Sequence, residues 1–178
     1  PWVCCTCCNW GRDLDPGGET AAMATESRGR RRGGDRREDH APSQRARRRA
    51  LQALYQWQMT GQAPDGIIAQ FYENQDFSGV DRELFETLVR DIPARREELG
   101  EALQPLLDRP LGQCDAMERV ALLIGAYHLL HLRQLPWQVS LAEAVDLANR
   151  FGSTQGHAYV NAVLDRAART WGRVADDA

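Results

Sequence analysis

An all-α fold, a single compact bundle of about six to seven helices, is what this 178-residue sequence predicts, and three observations carry the prediction. From Ser43 onward apolar residues recur with the helical period, and no sustained alternation marks a strand. The run Val120-Ala-Leu-Leu-Ile-Gly-Ala-Tyr-His-Leu-Leu130 is apolar on nearly every face, so that helix must be surrounded by others. The length suits one domain with a real core, and no repeat of fixed period points to a solenoid.

Residues 1 to 42 read as an extension. From Met23 to Pro42 the chain is rich in Arg, Gly, Asp, Glu and Ser, with almost nothing apolar to offset the entropy of ordering, so a disordered arm is expected. Cys4, Cys5, Cys7 and Cys8 are too crowded for a disulfide framework or for the separated pairs of a zinc site. Composition changes near Met23, which is expected to be the natural start, with residues 1 to 22 foreign to the native protein. The domain is then 43 to 172, with a tail at 173 to 178.

In the first helix Ala50, Leu54 and Trp57 share a stripe, with Leu51 and Ala53 beside it, and Gly61 with Pro64 closes it. A second helix over Asp65 to Asn74 turns Ile67, Ile68 and Phe71 inward. A third starts after Asp81 and carries Leu84, Phe85, Leu88, Val89 and Ile92. Pro93 should bend or interrupt it before a Glu97 to Leu107 segment. Asp115-Ala-Met-Glu118 has the spacing of a capping box, with Asp115 as N-cap and Glu118 reaching back, and it opens the central helix. After the Leu135-Pro-Trp137 turn, Ser140-Leu-Ala-Glu143 reads as a second box, Leu141, Ala144, Val145, Ala148 and Phe151 as the buried stripe, and Gly152 as the stop. The last helix, Thr154 to Trp171, buries Val160, Leu164, Ala167, Ala168 and Trp171.

Charge is unevenly distributed. Between Arg28 and Arg49 ten arginines stand against Asp35, Glu38 and Asp39, a net of +7 that leaves −10 for the remainder of a chain whose total is −3. Such a molecule can bind RNA with one surface and a basic protein with another. Every basic residue is arginine, which forks phosphate oxygens and stacks on unpaired bases better than lysine. Arg45, Arg47 and Arg48 run without a break into the first amphipathic helix, so they are expected on its outer side at fixed spacing, where a polyanion can meet them. Tyr55 lies off the buried stripe two turns beyond Arg48, and Tyr159 lies off the stripe of the last helix. Both rings are expected at the surface, able to stack on bases.

Enzyme chemistry has no foothold here: there is no Gly-rich phosphate loop, no His-Glu-x-x-His helix, no serine elbow and no Cys-x-x-Cys pair in the folded region. His128 and His131 offer the best metal spacing, but their apolar helix and the lack of a third ligand favour core or boundary histidines. His157 is expected to cap a neighbouring backbone and Asn161 to bond to the adjacent loop. No catalytic residue, metal or cofactor is expected. With no apolar run of transmembrane length and no signal segment, a cytoplasmic, reduced protein with no membrane partner is expected.

The residues that close the argument are Arg45-Ala-Arg-Arg-Arg-Ala-Leu-Gln-Ala-Leu-Tyr-Gln-Trp-Gln58, Met117-Glu-Arg119 leading to Gly125-Ala-Tyr127, Leu135-Pro-Trp137, Glu143-Ala-Val-Asp-Leu-Ala148, and Arg150-Phe-Gly-Ser153 followed by His157-Ala-Tyr-Val-Asn-Ala-Val-Leu-Asp165. In order and spacing the chain from 43 to about 170 resembles the NusB family of bacterial transcription antitermination factors. The resemblance implies an all-helical protein that binds single-stranded boxA-type leader RNA together with NusE, a protein of the small ribosomal subunit. The pair would join NusA and NusG on RNA polymerase and support ribosomal RNA synthesis and maturation. It implies an RNA-binding set of Arg45, Arg47, Arg48, Gln52, Tyr55 and Tyr159, and a NusE-facing set of Glu118, Gln155 and Tyr159. The free protein is allowed to form a homodimer. Family members often carry an acidic residue at the position of Gln155 and a lysine at that of Ala158; both charges are missing here, which weakens the contact beside Tyr159 unless the arginine-rich arm compensates. Two other classes compete: a NusB-like accessory domain related to ribosomal RNA methyltransferases without the catalytic part, and a helical DNA-binding regulator whose basic helix enters a major groove.

Overall fold

The computed structural model describes residues 35–174, with side chains from Ala41 onward. Among the described residues there are seven α-helices and no strand: α1 Asp35–Thr60, α2 Pro64–Asn74, α3 Arg82–Ala94, α4 Arg96–Leu103, α5 Ala116–His131, α6 Trp137–Phe151 and α7 Gly156–Thr170, with two short 3₁₀ turns at Gln104–Leu106 and Leu111–Gln113. The all-α expectation holds. The crowded cysteines and the proposed start at Met23 lie outside the described residues.

The packing is organised around α5. From Val120 to Leu129 every residue of it is buried, and α1, α3, α4, α6 and α7 all pack on it. Its crossing with α6 and α7 is close at Gly125, where a β-carbon would stand 2.4 Å from Leu164 Cδ1 and 3.1 Å from Ala144 Cβ. Glycine inside a helix costs about 1 kcal/mol against alanine, and here the close approach of three helices offsets it. On the other side, Phe77 meets Tyr72 and Phe85 edge-on at 4.5 and 5.0 Å, filling the space under the α2–α3 loop. Tyr127 sends its hydroxyl out of the core to donate to Asp91 Oδ2 at 2.7 Å.

Most helix ends follow the chemistry read from the sequence. Gly61 takes a left-handed φ of +66° after α1, and its amide donates to Trp57 O at 2.9 Å. The Asp81 side chain accepts from the Leu84 amide and caps α3. Pro93 sits inside the last turn of α3, and Arg95 separates α3 from α4. Asp115 caps α5 by accepting from the Met117 amide at 2.9 Å.

Four expectations are corrected. Helix α1 begins at Asp35, eight residues before Ser43, so the last part of the arm drawn at 1 to 42 is helical; the chain there is tied down by the Asp81 amide, which donates to Pro42 O at 3.2 Å. The second capping box does not form, because α6 already starts at Trp137 behind Pro136. Proline pre-sets a helical entry and needs no amide partner, so Ser140 lies inside the helix, fully buried, with its hydroxyl directed back to Pro136 O. On α6 Leu141 and Val145 are only partly covered while Leu147 is buried, a rotation of the inward stripe. Finally, the domain does not end at 172. Arg173 is 4% exposed; its guanidinium donates to Leu135 O at 2.7 Å and to Arg133 O at 3.3 Å. The end of the chain thus clasps the loop between α5 and α6, after a turn at Gly172 with φ +74°.

Removing that clasp breaks the charge-assisted bonds to the carbonyls of Arg133 and Leu135, a loss of about 1 to 3 kcal/mol. Arg173→Ala, and a chain shortened to Trp171, are both expected to melt several degrees below the parent protein in thermal denaturation; unchanged melting would show the clasp to be energetically neutral.

Candidate nucleic-acid interface

Helix α1 carries two opposed faces, and the helical period decides which arginine goes where. Positions 45, 48, 52 and 55 recur at three- and four-residue steps and form one face. Positions 47, 50, 51 and 54 form the other, and Ala50, Leu51 and Leu54 on it are buried. Arg45 is exposed, while Arg48, Gln52 and Tyr55 are half-buried. Arg45, Arg48, Gln52 and Tyr55 therefore do come together along one outward face, with the ring of Tyr55 partly packed on the core.

Arg47 does not join them. The expectation that its guanidinium faces solvent is overturned: Arg47 is 4% exposed, and its Nη1 lies 3.7 Å from Glu143 Oε2 on α6. The same carboxylate accepts from Gln44 Nε2 at 3.2 Å. Burial lowers the pKa of Arg47, and the carboxylates of Glu143 and Asp81 pull it back up; a guanidinium stays charged regardless, so this is a covered ion pair tying α1 to α6. His128 on α5 is fully buried, with no hydrogen-bond partner at either ring nitrogen. Burial, and then the positive charge of Arg47, push its pKa down to about 3. His128 is thus a neutral core residue. His131 instead turns to Glu98, with Nε2 3.2 Å from Oε1, and among the described residues no group of three or more His, Cys, Asp or Glu is placed to hold a metal.

Arg49, which sequence reasoning left out of the site, is anchored on the outer side of the same helix. It donates to Gln75 Oε1 and, at 2.7 Å, to Asp76 O, with its guanidinium 5.1 Å from the Phe77 ring centre. Arg45 donates to Gly79 O at 3.0 Å. Arg48 makes no ion pair or hydrogen bond among the described residues, and its Nε is covered without a partner. The helical wheel alone separates Arg47 from Arg45 and Arg48, since Arg47 is in phase with Leu54; the partner Glu143, far along the chain, is what keeps a charge there.

The residues expected to face a protein partner gather at the start of α7, though not as anticipated. Glu118 neither caps α5 nor reaches the surface. It is 8% exposed and accepts from Ser153 Oγ at 2.7 Å, under the first turn of α7, where the helix dipole favours a carboxylate. A β-carbon at Gly156 would lie 2.5 Å from Glu118 Oε1, so glycine makes room for it. Gln155 is exposed at the N-cap position without capping. One turn on, Tyr159 is not an open ring. Its hydroxyl donates to Asp108 Oδ1 at 2.8 Å and lies 3.8 Å from Cys114 Sγ, and Arg109 stacks 4.8 Å from the ring centre. Burial, then the bond to Asp108, raise the phenol's pKa, so it stays a neutral donor. His157 and Asn161 make no hydrogen bond among the described residues; with Trp137, Leu141 and Val145 they line a groove of about 650 Å³ between α6 and α7.

Comparison with known proteins adds a family to this geometry. Residues 44–169 match the model of the NusB family. The chain is 48% identical over 130 residues to the transcription antitermination protein NusB of Xanthomonas axonopodis pv. citri (strain 306), covering 73% of this chain and 82% of that protein. It is 49% identical over 127 residues to the NusB of Xanthomonas campestris pv. campestris (strain B100), covering 71% and 80%. Among solved structures, T. maritima NusB superposes with a TM-score of 0.62 at 24% identity, over 72% of this chain and 91% of that one, which speaks for a shared fold.

Two outcomes follow from the burial of Arg47 and His128. Arg47→Ala strands the Glu143 carboxylate and should cost about 3 kcal/mol of stability in denaturant unfolding, whereas Arg48→Ala should cost no more than about 1; equal losses would contradict the assignment of faces. Because the folded pKa of His128 lies below that of the unfolded imidazole, its stabilising contribution is full above about pH 6.5 and fades as the pH falls. Between pH 7 and pH 5 about 2 kcal/mol should be lost, and His128→Leu should flatten that dependence.

Proposed function

The chain belongs to the NusB family of transcription antitermination proteins, and from that premise we propose that it binds single-stranded boxA-type leader RNA along the outer face of α1 and does so together with NusE. The assembly then joins NusA and NusG on RNA polymerase in the cytoplasm and supports ribosomal RNA synthesis and maturation. One observation carries the RNA part: Arg45 and Arg48 lie on one ordered helical face, and among the described residues no carboxylate pairs with either. Phosphates of a flexible strand gain most from cations already fixed in place.

The contact set proposed is Arg45, Arg48, Gln52 and Tyr55, with Arg47 withdrawn to a supporting role through Glu143. Tyr55, half-covered beyond Arg48, supplies an aromatic edge against which a base can rest. Gln155 and the far edge of Tyr159 are proposed as the protein-facing contacts, with Glu118 shaping the turn beneath them. Tyr159 contributes through the Asp108–Arg109 side of its ring, where the guanidinium remains exposed to an incoming partner.

A boxA-type RNA oligonucleotide and a duplex DNA of the same sequence, compared by fluorescence anisotropy at fixed salt, test this reading. Tighter binding to the RNA is expected, and Arg48→Ala should lower the salt slope of that binding by about 0.7, one single-strand phosphate contact. Equal or tighter binding to the duplex would favour the DNA-binding regulator instead.

A further inference from the structure

The arginines of α1 are held in two chemically different ways. Arg47 is matched by a carboxylate, so its charge is offset where it stands. Arg45 and Arg49 are matched by neutral groups: the main-chain carbonyl of Gly79 for the first, and the carbonyl of Asp76 with the side-chain amide of Gln75 for the second. All these acceptors belong to one short loop between α2 and α3. A carboxylate fixes a guanidinium by cancelling it; a carbonyl fixes it and leaves its positive charge available to a ligand. An arginine side chain has many rotamers to lose, and these bonds remove that freedom before any phosphate arrives.

The loop is itself tied down. The Gln75 amide donates to Phe71 O at 3.0 Å and the Val80 amide to Phe77 O at 3.2 Å. The Ser78 amide donates to Asp76 Oδ1 at 2.8 Å, which draws that carboxylate into the loop, although it still attracts Arg49 at longer range. Phe77 is buried beneath, 5% exposed. At the far end Ser43 Oγ donates to Asp81 Oδ2 at 3.3 Å, so the loop is also joined to the opening of α1 just ahead of the arginines.

We propose that the Gln75–Gly79 loop is a positioning element for phosphate recognition, holding Arg45 and Arg49 one helical turn apart with no carboxylate of the described residues bonded to either, and that Gly79 is the residue on which the placement of Arg45 depends. Gly79 has φ +65°, and a β-carbon there would stand 2.8 Å from Arg45 Nη1. Any other residue therefore crowds the guanidinium that the loop presents. The inference rests on the RNA reading of α1 and deepens it: Arg49 enters the phosphate-binding set, and Gly79, a residue outside α1, governs Arg45.

The full-length protein and a single-stranded boxA-type RNA oligonucleotide, titrated across a range of salt, give the test. Gly79→Ala is expected to weaken binding about fivefold, the order of one ordinary hydrogen bond, and to lower the salt slope by about 0.7. In an Arg45→Ala background the same substitution should change affinity less than about twofold. Gly79→Asn tolerates the left-handed backbone but keeps the crowding, so its RNA affinity should match that of Gly79→Ala while its melting temperature returns toward the parent's. Equal losses in both backgrounds, an unchanged slope, or recovery of parental affinity by Asn would each show an ordinary structural loop and overturn the proposal. If Arg45→Ala alone leaves affinity and slope untouched, the RNA reading of α1 fails, and this inference with it.

Discussion

A helix with no polar face has to be enclosed, and the enclosure of α5 is the constraint from which the other positions follow. Its buried length from Val120 to Leu129 requires partners on all sides, and Gly125 lets α6 and α7 close in where a side chain would hold them apart. Helix α1 then has only one face to give to the core. Small residues at Ala46, Ala50 and Ala53 let it approach, and the covered pair of Arg47 with Glu143 fixes its roll about its own axis. Once the roll is fixed, Arg45, Arg48 and Tyr55 have no choice of direction.

A buried ion pair is a poor source of stability, because desolvation of two charges consumes most of their attraction. Its value here lies in specification. An apolar residue at position 47 would tolerate small rotations of α1; a guanidinium that must meet one carboxylate does not. His128, neutral and without a hydrogen-bond partner beside this pair, is the cost of placing a charge so near the core. The outer arginines obey the opposite rule: their partners are neutral, so geometry is set while the field that attracts a polyanion survives.

Much of the fold could be read from the residues because the relevant physics is local. Asp115 as an N-cap, a helix start after Asp81, Gly61 as the stop of α1, Pro93 at the α3–α4 break and the apolar run of α5 each act within a turn or two of their own position. The misreadings arise where a distant partner decides. Ser140 and Glu143 have the spacing of a capping box, but Pro136 starts the helix earlier and Glu143 is claimed by Arg47 and Gln44. Glu118 is drawn under α7 by Ser153 and Gly156, thirty-odd positions away. Tyr159 was legible as a residue off the buried stripe, yet Asp108 and Arg109, which occupy it, lie on a loop that no periodicity describes. Arg47 is the instructive case: its phase with Leu54 places it inward, and only the Glu143 carboxylate, far along the chain, lets a guanidinium remain there.

The clasp made by Arg173 bears on how such a chain comes into being. The carbonyls of Arg133 and Leu135 are satisfied by a residue some forty positions later, and the wall of the core beside Gly125 is supplied by α7. While the protein is being synthesised, the central helix emerges well before either of them has cleared the ribosome. Its apolar surface must wait, half-dressed, for the carboxyl-terminal turn, so premature release of the nascent chain yields a sticky fragment and not a smaller working protein.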